Sequence, residues 1–251
     1  MSRKRRTVAD EPFLLVRTSM SDAPDGAVIA GHTHDWHQLV YVRSGLMTVR
    51  TAAGSWIAPP TWAVWVPAGT EHSIRFVGRS ALRTCYVRPG HRSDLPAGCN
   101  ALAVSALLRE LVVRATTVGM LDSRVPTEAA MARLIVDELG EAGPPPFVLP
   151  EPTSAATTRA VGLIDADEGI GTPTLARVVG IGLRTLERRF LAETGMTLGQ
   201  WRRQRLLLRG LERVAAGASI TEASHVAGYS SPSAFIAAFR KTFGATPARY
   251  F

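Results

Sequence analysis

The carboxy-terminal part of the chain contains the same short helical pattern twice. The first copy runs from Leu175 to Phe190 and the second from Ile220 to Arg240. In each copy, a short segment of mostly small or apolar residues reaches a glycine, Gly180 or Gly228, and an amphipathic segment follows. A helix, a tight turn and a second helix form the helix-turn-helix, whose second helix is shaped for the major groove of DNA. The duplication therefore predicts two DNA-reading units in an all-α region.

The second helix of the first copy is predicted to have one apolar side and one charged side. Leu183, Leu186 and Phe190 follow the spacing i, i+3, i+7 of a buried stripe. Gly182 stands at the capping position, where glycine is tolerated. The residues left on the opposite side are Arg184, Glu187 and Arg188.

The second helix of the second copy has a stronger start signal. The hydroxyl of Ser231 can cap free backbone amides, and Pro232 at the first helical position gives up no needed hydrogen-bond donor. Phe235 and Phe239 form the predicted buried pair. The outward side carries only short side chains, those of Ser233, Ala234 and Ala237.

A helix from Leu198 to Ala216 is predicted between the two copies. It carries five arginines: Arg202, Arg203, Arg205, Arg209 and Arg213. Trp201 and several leucines on the same segment are available for burial. One pattern of this kind occurs in many helical bundles, but two copies joined by such a helix are hard to explain as packing alone. We interpret this helix as a rigid spacer between two readers.

Positive charge is concentrated in the same region. The whole chain has a formal net charge of +8, and from residue 155 onward thirteen basic residues face seven acidic ones. Residues 13–154 carry twelve of each sign. An excess of positive charge attracts DNA phosphates in a salt-sensitive way. Charge alone does not decide the function, but its position on the duplicated pattern favours DNA binding.

Four segments of this region resemble the C-terminal domain of AraC/XylS-type transcriptional regulators. They are Arg184–Phe190, Glu193–Thr197, Gly228–Phe235 and Phe243–Tyr250. The resemblance implies two helix-turn-helix units on a rigid linker helix, contacting successive major-groove segments on one side of the duplex. It also implies that Arg184, Glu187 and Arg188 fall where the family reads bases.

The predicted DNA-binding residues follow from that resemblance. They are Arg184, Thr185, Glu187, Arg188, Arg202, Ser231, Ser233, Ala234, Ala237 and Lys241. An arginine can form a bidentate contact to guanine, and a glutamate can accept from cytosine. Glu187 is equally well explained as an ordinary surface charge beside the arginines. The second copy lacks long polar side chains on its outward face, so we expect it mainly to hold the DNA backbone.

Residues 27–88 have a different pattern. Short runs rich in β-branched and aromatic residues are separated by turn signals such as Ser44-Gly45, Pro59-Pro60 and Pro67-Ala68-Gly69. Short strands separated by such regularly spaced turns predict an antiparallel sandwich or barrel. The stretch resembles a cupin barrel: His32-Thr33-His34 with Gln38 is similar to the first cupin motif, and Pro67–His72 is similar to the second.

The histidines of this barrel have three interpretations that the sequence leaves open. They can line an effector pocket, hold a divalent metal, or be structural residues at the rim. The candidate effector-binding residues are His32, His34, His37, Gln38 and His72. Metal-binding cupins have a glutamate at the position of Gln38, and neutral glutamine is a poorer ligand for a hard cation.

The remaining segments complete an α+β multidomain prediction. Residues 1–12 are predicted to be a basic disordered tail, 13–150 a cupin-like effector-binding domain, and 151–251 the double helix-turn-helix domain. Within the second of these, apolar spacing predicts helices at 101–117 and 126–143, and the first is a candidate dimer contact. The proline-rich stretch 143–152 is predicted to be a semi-rigid linker.

Together these features predict a sequence-specific transcriptional regulator controlled by a small-molecule effector. The expected partners are double-stranded DNA, the effector, RNA polymerase and a second copy of the chain; no cofactor, catalytic residue or membrane contact is expected. Cys85 and Cys99 lack metal or redox spacing, which suits the reducing cytoplasm. The alternative is a metal-dependent cupin enzyme with an accessory nucleic-acid-binding module. Whether the regulator activates or represses stays open.

Overall fold

A computed structural model describes residues 11–91, 95–143, 149–167 and 169–250. Most of the predicted basic tail and half of the proline-rich linker therefore lie outside the described residues, and the domain boundary at residue 150 stays a prediction. In the described ranges, no helix combines the length and the apolar composition that crossing a membrane requires.

The amino-terminal part contains strands and two helices. In chain order these are β1 (Leu14–Ala23), β2 (Val28–His32), β3 (His37–Val42), β4 (Leu46–Thr51), β5 (Gly54–Ala58), β6 (Trp62–Val66), β7 (His72–Val77), β8 (Ser80–Val87), β9 (Asn100–Ala103), α1 (Ala106–Val118), β10 (Met120–Asp122) and α2 (Pro126–Glu141). The carboxy-terminal part is helical, with α3 (Ala155–Ala166), α4 (Thr172–Val179), α5 (Leu183–Thr194), α6 (Leu198–Ala215), α7 (Ile220–Val226), α8 (Pro232–Phe243) and α9 (Pro247–Tyr250).

The strands form two antiparallel sheets, which confirms the predicted β architecture. One sheet has the order β10-β1-β8-β3-β6-β9 and the other the order β2-β7-β4-β5. Alternate residues of the strands point inward and fill the space between the sheets. Val40 and Met47 are 0% exposed there, Ile74 is 1% exposed and Phe76 is 2% exposed. The interior of the barrel is therefore largely occupied by its own apolar side chains.

Helices α1 and α2 pack on the outer side of the larger sheet, where Leu108 and Ile135 join Leu39 and Trp65 in one buried cluster. The helix predicted to begin at residue 101 begins at Ala106 instead, so the prediction was wrong for its first turn. Residues Asn100–Ala103 form β9 and pair with β6, because they complete the edge of the sheet. Ser105 then caps the helix by accepting a hydrogen bond from the Leu108 amide at 2.9 Å.

The first helix-turn-helix unit consists of α4 and α5. The turn between them depends on Gly180, whose positive φ of 83° closes the end of α4 in a left-handed conformation that favours glycine. Leu186 and Phe190 are fully buried, as the apolar spacing predicts. Leu183, however, is 37% exposed, because it is the first residue of α5 and stands beyond the core.

Helix α3 was not predicted, and it completes the core of the first unit. The two backbone amides directly before it are bound by another helix: the Glu193 carboxylate accepts from the Thr153 amide at 2.9 Å and the Ser154 amide at 3.0 Å. Such a cap leaves no local sequence signal, because its two halves are far apart in the chain. Burial opposes ionisation of Glu193, but the hydrogen bonds from Thr157, Ser154 and Thr153 dominate and lower its pKa to about 2.

Helix α6 connects the two units as the predicted spacer. On one side the Asp165 carboxylate of α3 accepts from Arg205 Nε at 2.9 Å and from Arg209 Nη2 at 3.1 Å. On the other side Gly210 brings α6 close to the second unit: a Cβ atom there would lie 2.7 Å from Phe235 Cε2 and 2.9 Å from Ala227 Cβ. The spacer is therefore attached to both units by specific contacts.

The second unit shares its core with the barrel. A series of aromatic rings starts with Phe235 and Phe239, whose centroids are 5.7 Å apart, and continues to Phe243 at 4.6 Å. The Phe243 ring is 6.0 Å from the ring of Trp62 at the start of β6. Buried residues of the barrel interior and of α6 and α8 belong to one continuous apolar cluster. The barrel and the second unit are therefore packed as one body.

We predict that Gly210→Ala destabilises the protein by about 1–3 kcal/mol, because the added methyl overpacks the contact with Phe235. Gly199→Ala, on the same helix, is the matched control: its Cβ would meet only the flexible Arg203 guanidinium at 3.7 Å. The control is expected to be neutral or to stabilise by up to about 1 kcal/mol through helix propensity. Urea unfolding of both variants measures the difference, and equal stabilities would contradict the close packing.

Candidate DNA interface and effector site

The outward face of α5 is available for a partner. Arg184, Glu187 and Arg188 are exposed. Within the described part of the chain, none of these three side chains makes an ion pair or a hydrogen bond. Their burial pattern is the one that the apolar stripe predicts, since Leu186 and Phe190 hold the opposite side of α5 in the core. Two guanidinium groups and a carboxylate are thus presented on one short helix.

Most of the arginines of α6 are engaged within the protein. Arg205 and Arg209 bind Asp165, and Arg213 forms an ion pair with Glu222 of α7. Arg202, a predicted DNA contact, is half-buried, and its guanidinium donates to the Ile170 carbonyl. These contacts hold α6 in place, so the guanidinium groups of α6 contribute less to a DNA surface than their number in the sequence indicates.

The outward face of α8 carries short side chains, as predicted. Ser231 caps the helix by accepting from the Ala234 amide at 3.3 Å. Ser233, Ala234 and Ala237 are exposed. At the far end of the helix, Lys241 is exposed in the last turn. This face permits close approach of a DNA backbone but presents few groups that distinguish bases.

Three of the predicted barrel histidines come together at one end of the barrel interior. His32 ends β2, His72 begins β7, and His34 lies in the loop before β3. One ring nitrogen from each lies within 4.8 Å of those of the other two. Burial, followed by weaker repulsion from His32 and His34, outweighs the Thr70 hydrogen bond and lowers the pKa of His72 to about 4. His72 is therefore neutral near pH 7, and the neutral ring can donate a lone pair to a metal.

Gln38, on β3, contacts two of these rings. Its Oε1 atom is 2.8 Å from His34 Nε2 and 3.0 Å from His72 Nε2. Its Nε2 atom donates to Thr84 Oγ1 at 2.9 Å, and that hydroxyl in turn donates to the Leu39 carbonyl at 2.8 Å. Gln38 and His72 are 2% and 1% exposed. Thr84 was not among the predicted site residues, because a threonine on a strand carries no motif of its own.

His37 stands apart from this group. Its Nδ1 accepts from the Ala68 amide at 3.1 Å, and its ring stacks on Trp65 with centroids 5.2 Å apart. Burial and the nearby His34 lower the pKa of His37. The structure thus gathers His32, His34, Gln38 and His72 into one cluster and places His37 against the outer layer.

The barrel also meets the helical part at an interface that the sequence did not indicate. A cavity of about 240 Å³ lies between the smaller sheet and helices α3 and α6. Its barrel wall includes Arg50 and Arg75, and its helical wall includes Asp165 and Glu212. Burial raises the pKa of Glu212, although Arg205, Arg209 and Arg75 act in the opposite direction. Walls of opposite charge thus face each other across the cavity.

The two parts come close together at Gly78, directly after β7. A Cβ atom on Gly78 would lie 1.9 Å from the carbonyl oxygen of Ala215, the last residue of α6. Gly78 also has a positive φ of 69°, and its amide donates to Asp25 Oδ1 at 2.7 Å. Strand β7 therefore connects the histidine cluster at its start with the end of the spacer helix.

Two family matches agree with this division of the chain. Residues 21–145 match the family described as AraC-like ligand binding domain, and residues 175–251 match the family described as Helix-turn-helix domain. The chain is an AraC-type transcriptional regulator. The match confirms the family that the sequence motifs indicate and the fold class of a β barrel joined to a double helix-turn-helix.

Individual relatives are described as transcriptional regulators as well. The HTH-type transcriptional regulator NimR of Escherichia coli is 29% identical over 222 residues, which are 87% of this regulator and 81% of NimR. The HTH-type transcriptional regulator RipA of Corynebacterium glutamicum is 29% identical over 120 residues, 48% of this chain and 35% of RipA. Among solved structures, ToxT of Vibrio cholerae with a bound unsaturated fatty acid matches 99% of this chain and 96% of its own at 12% identity, with a TM-score of 0.39.

The shared core predicts that the regulator unfolds as one cooperative unit and that Gly78→Ala breaks this coupling. The added methyl would collide with the backbone of Ala215, which cannot move without separating the two parts. Gly26→Ala is the matched control, because Gly26 has a similar φ of 74° but a Cβ there meets nothing within 4 Å. In scanning calorimetry we expect two transitions for Gly78→Ala and one for the wild type and the control. A single transition in all three would contradict this coupling.

Proposed function

We propose that this regulator recognises its operator sequence mainly through α5. The observation that supports this is the exposed, unpaired set of Arg184, Glu187 and Arg188 on a helix whose other side is buried. Arginine is the residue best suited to bidentate contacts with guanine. Helix α8 enters the next groove and holds the duplex through its smooth face and Lys241. Thr185 and Ser231 assist by contacts to the DNA backbone, whereas Arg202, engaged with the Ile170 carbonyl, is expected to contribute little.

We also propose that an effector bound at the histidine cluster changes how the two helix-turn-helix units are presented to the operator DNA. The cluster lies on β7, and the residue after β7 touches the end of α6. A ligand can shift only an equilibrium between states that it binds with different affinity. The packed interface between barrel and spacer supplies an element that can have two arrangements. His37, which stacks on Trp65 apart from the cluster, stays a predicted effector contact.

A second copy of the chain is the proposed partner of the barrel helices. On α1 the inward side chains, such as Leu108, pack on the sheet, whereas Leu107 is 50% exposed and Val118 is 37% exposed. Leu134 of α2, 46% exposed, adds a third apolar residue. We infer a homodimer that buries these three side chains, with two operator half-sites as a consequence.

The ligand set disfavours the alternative of a metal-dependent enzyme, because Gln38 stands where metal-binding cupins have a glutamate. Cysteine chemistry is disfavoured as well, because burial raises the pKa of both Cys85 and Cys99 to about 12, so neither thiol is an activated nucleophile near pH 7. We propose instead a regulator without catalytic turnover that acts in the cytoplasm, where its operator is found. RNA polymerase is the further partner in either activation or repression.

The test of DNA recognition is a selection of random-sequence duplexes by the full chain, followed by binding assays on the selected sequence. We expect one strongly conserved element, contacted by α5, and weaker base preference in the segment about 10 base pairs away that α8 contacts. Arg184→Ala and Arg188→Ala should each weaken binding roughly 5- to 160-fold and relax base preference in one element, since a bidentate contact contributes about 1–3 kcal/mol. Lys241→Ala should weaken all sequences equally and lower the salt slope by about one.

Arg43→Ala serves as the control for loss of one positive charge, because Arg43 is exposed on the barrel. It is expected to leave both affinity and preference unchanged. Selection of no conserved sequence would contradict the proposal and support an architectural role. Equal effects of Arg184→Ala on all sequences would show that α5 contacts only the backbone.

The test of the dimer is sedimentation of the Leu107→Glu variant. A carboxylate in the centre of an apolar contact is costly to bury, so the variant should sediment as a monomer at concentrations where the wild type is dimeric. Met20→Glu is the matched control, because Met20 is similarly exposed, at 58%, on a different face. Dimers that survive Leu107→Glu, or monomers in the wild type, would contradict the proposed interface.

A further inference from the structure

The outer face of the smaller sheet and the helical part enclose the cavity of about 240 Å³. Met47 of β4 and Ile74 of β7 are buried in the barrel interior. Because neighbouring residues of a strand point to opposite faces, Thr48, Arg50 and Arg75 point away from that interior and line the cavity. Both arginines are exposed. The cavity is therefore open to solvent beside them, and a small molecule can enter it.

The two arginines of this face form a candidate site for a carboxylate. Arg50 pairs with Ser73 of β7, so Arg50 and Arg75 are diagonal neighbours on one face of the sheet. Long side chains at such positions can reach the same small group. Among the described residues, neither guanidinium group has an ion-pair or hydrogen-bond partner. Two like charges side by side repel, and a carboxylate, which arginine binds in a bidentate way, would remove this repulsion.

The helical wall carries a negative charge that is compensated only in part. Asp165 is bound by Arg205 and Arg209. The Glu212 Oε1 atom, however, lies 3.8 Å from Arg205 Nη1, which is too long for a hydrogen bond. Burial raises the pKa of Glu212, even though Arg205, Arg209 and Arg75 favour its ionised form. The Glu212 carboxylate can therefore accept a hydrogen bond from a further cationic group, such as an ammonium.

The charges of the cavity lining add up to zero. The lining includes three basic and three acidic side chains, those of Arg50, Arg75, Arg205, Glu151, Asp165 and Glu212. Since Arg205 and Asp165 form an ion pair, two arginines of the barrel wall remain opposite two glutamates of the helical wall. A ligand with a net charge would compensate one wall and leave the other uncompensated. A zwitterion compensates both walls at once.

Apolar side chains complete the lining and limit the size of the ligand. They include Trp56, Ile57, Trp62 and Leu208. An apolar cavity of about 150 Å³ accommodates benzene. A volume of about 240 Å³ is therefore sufficient for leucine or phenylalanine, but it is too small for a nucleotide, an oligosaccharide or a long acyl chain.

We propose that this cavity binds a free α-amino acid with an apolar side chain. Arg50 and Arg75 hold its carboxylate, and Glu212 accepts from its ammonium group. The side chain of the ligand lies against Trp56 and Leu208. Because the two ends of the ligand are held by different parts of the protein, it binds only while the barrel and α6 are packed together, and it stabilises that arrangement. An effect on DNA affinity rests on the proposed function, since α6 positions both helix-turn-helix units.

The first experiment is calorimetric titration of the full chain with L-leucine and L-phenylalanine. We expect one molecule per chain and a melting temperature that rises with the concentration of the amino acid. Two analogues of leucine separate the charged groups: 4-methylpentanoate lacks the ammonium group, and 3-methylbutylamine lacks the carboxylate. Each analogue should bind at least about tenfold more weakly than leucine, because it loses charge-assisted hydrogen bonds.

Variants of the two walls assign each charged group to its partner. Arg75→Ala should weaken leucine binding at least about tenfold and abolish the preference for leucine over 3-methylbutylamine. Glu212→Gln should abolish the preference for leucine over 4-methylpentanoate. Arg43→Ala and Glu110→Gln, at exposed positions outside the cavity, are the matched controls and should bind normally. His34→Ala should also bind normally, because the histidine cluster is not part of this cavity.

The second experiment measures affinity for the selected duplex with and without L-leucine. We expect at least about a fivefold change in the wild type and none in Arg75→Ala. Failure to bind either amino acid, equal binding of an analogue, or loss of binding in His34→Ala would overturn the amino-acid site and leave the DNA-binding function intact. Stoichiometric binding without a change in DNA affinity would overturn the regulatory effect while the site itself stands.

Discussion

Close packing along α6 is the constraint on which the arrangement of both DNA readers depends. Asp165 holds one side of this helix to α3, and Gly210 allows the other side to approach Phe235 without a methyl group between them. A helix of regular geometry has a fixed rise per residue, so these two attachments define both the distance and the rotation between the units. Recognition of two groove segments at a single spacing follows from this rigidity rather than from either unit alone.

The same contacts determine which of the positively charged side chains are free to contact DNA. The sequence concentrates five arginines on α6, but three of them form ion pairs with Asp165 and Glu222 of the same chain. Exposed cations such as Arg184, Arg188 and Lys241 lie instead on α5 and α8. Apart from Arg203 of α6, which is exposed as well, the charge that can contact phosphates or bases is therefore carried by the helices that the motif assigns to the grooves. Net charge identified the correct region, and the ion pairs decide which residues of that region can act.

Local signals predicted the helical part well and the connections between parts poorly. Ser231 and Gly182 mark helix starts within a few residues of sequence, and both helices begin there. The start of α1 was missed because β9 gains a strand partner that no local pattern encodes. The cap of α3 by Glu193 and the approach of Gly78 to α6 are equally non-local. The histidines could be gathered from a resemblance, but the orientation of Gln38 depends on Thr84, forty-six residues away.

A filled barrel restricts how an effector can act on the readers. Since Val40, Ile74 and Phe76 occupy the interior, a bulky ligand would have to displace them. The histidine end of the barrel is the part of the interior that polar side chains line, because Gln38 and His72 are buried there beside His34. Strand β7 runs from His72 to Gly78, which lies against Ala215 at the end of α6, and it is hydrogen-bonded to β2 and β4 on either side. In the proposed regulator, an effector at the histidine cluster would therefore act on the spacer helix through a single strand held on both edges.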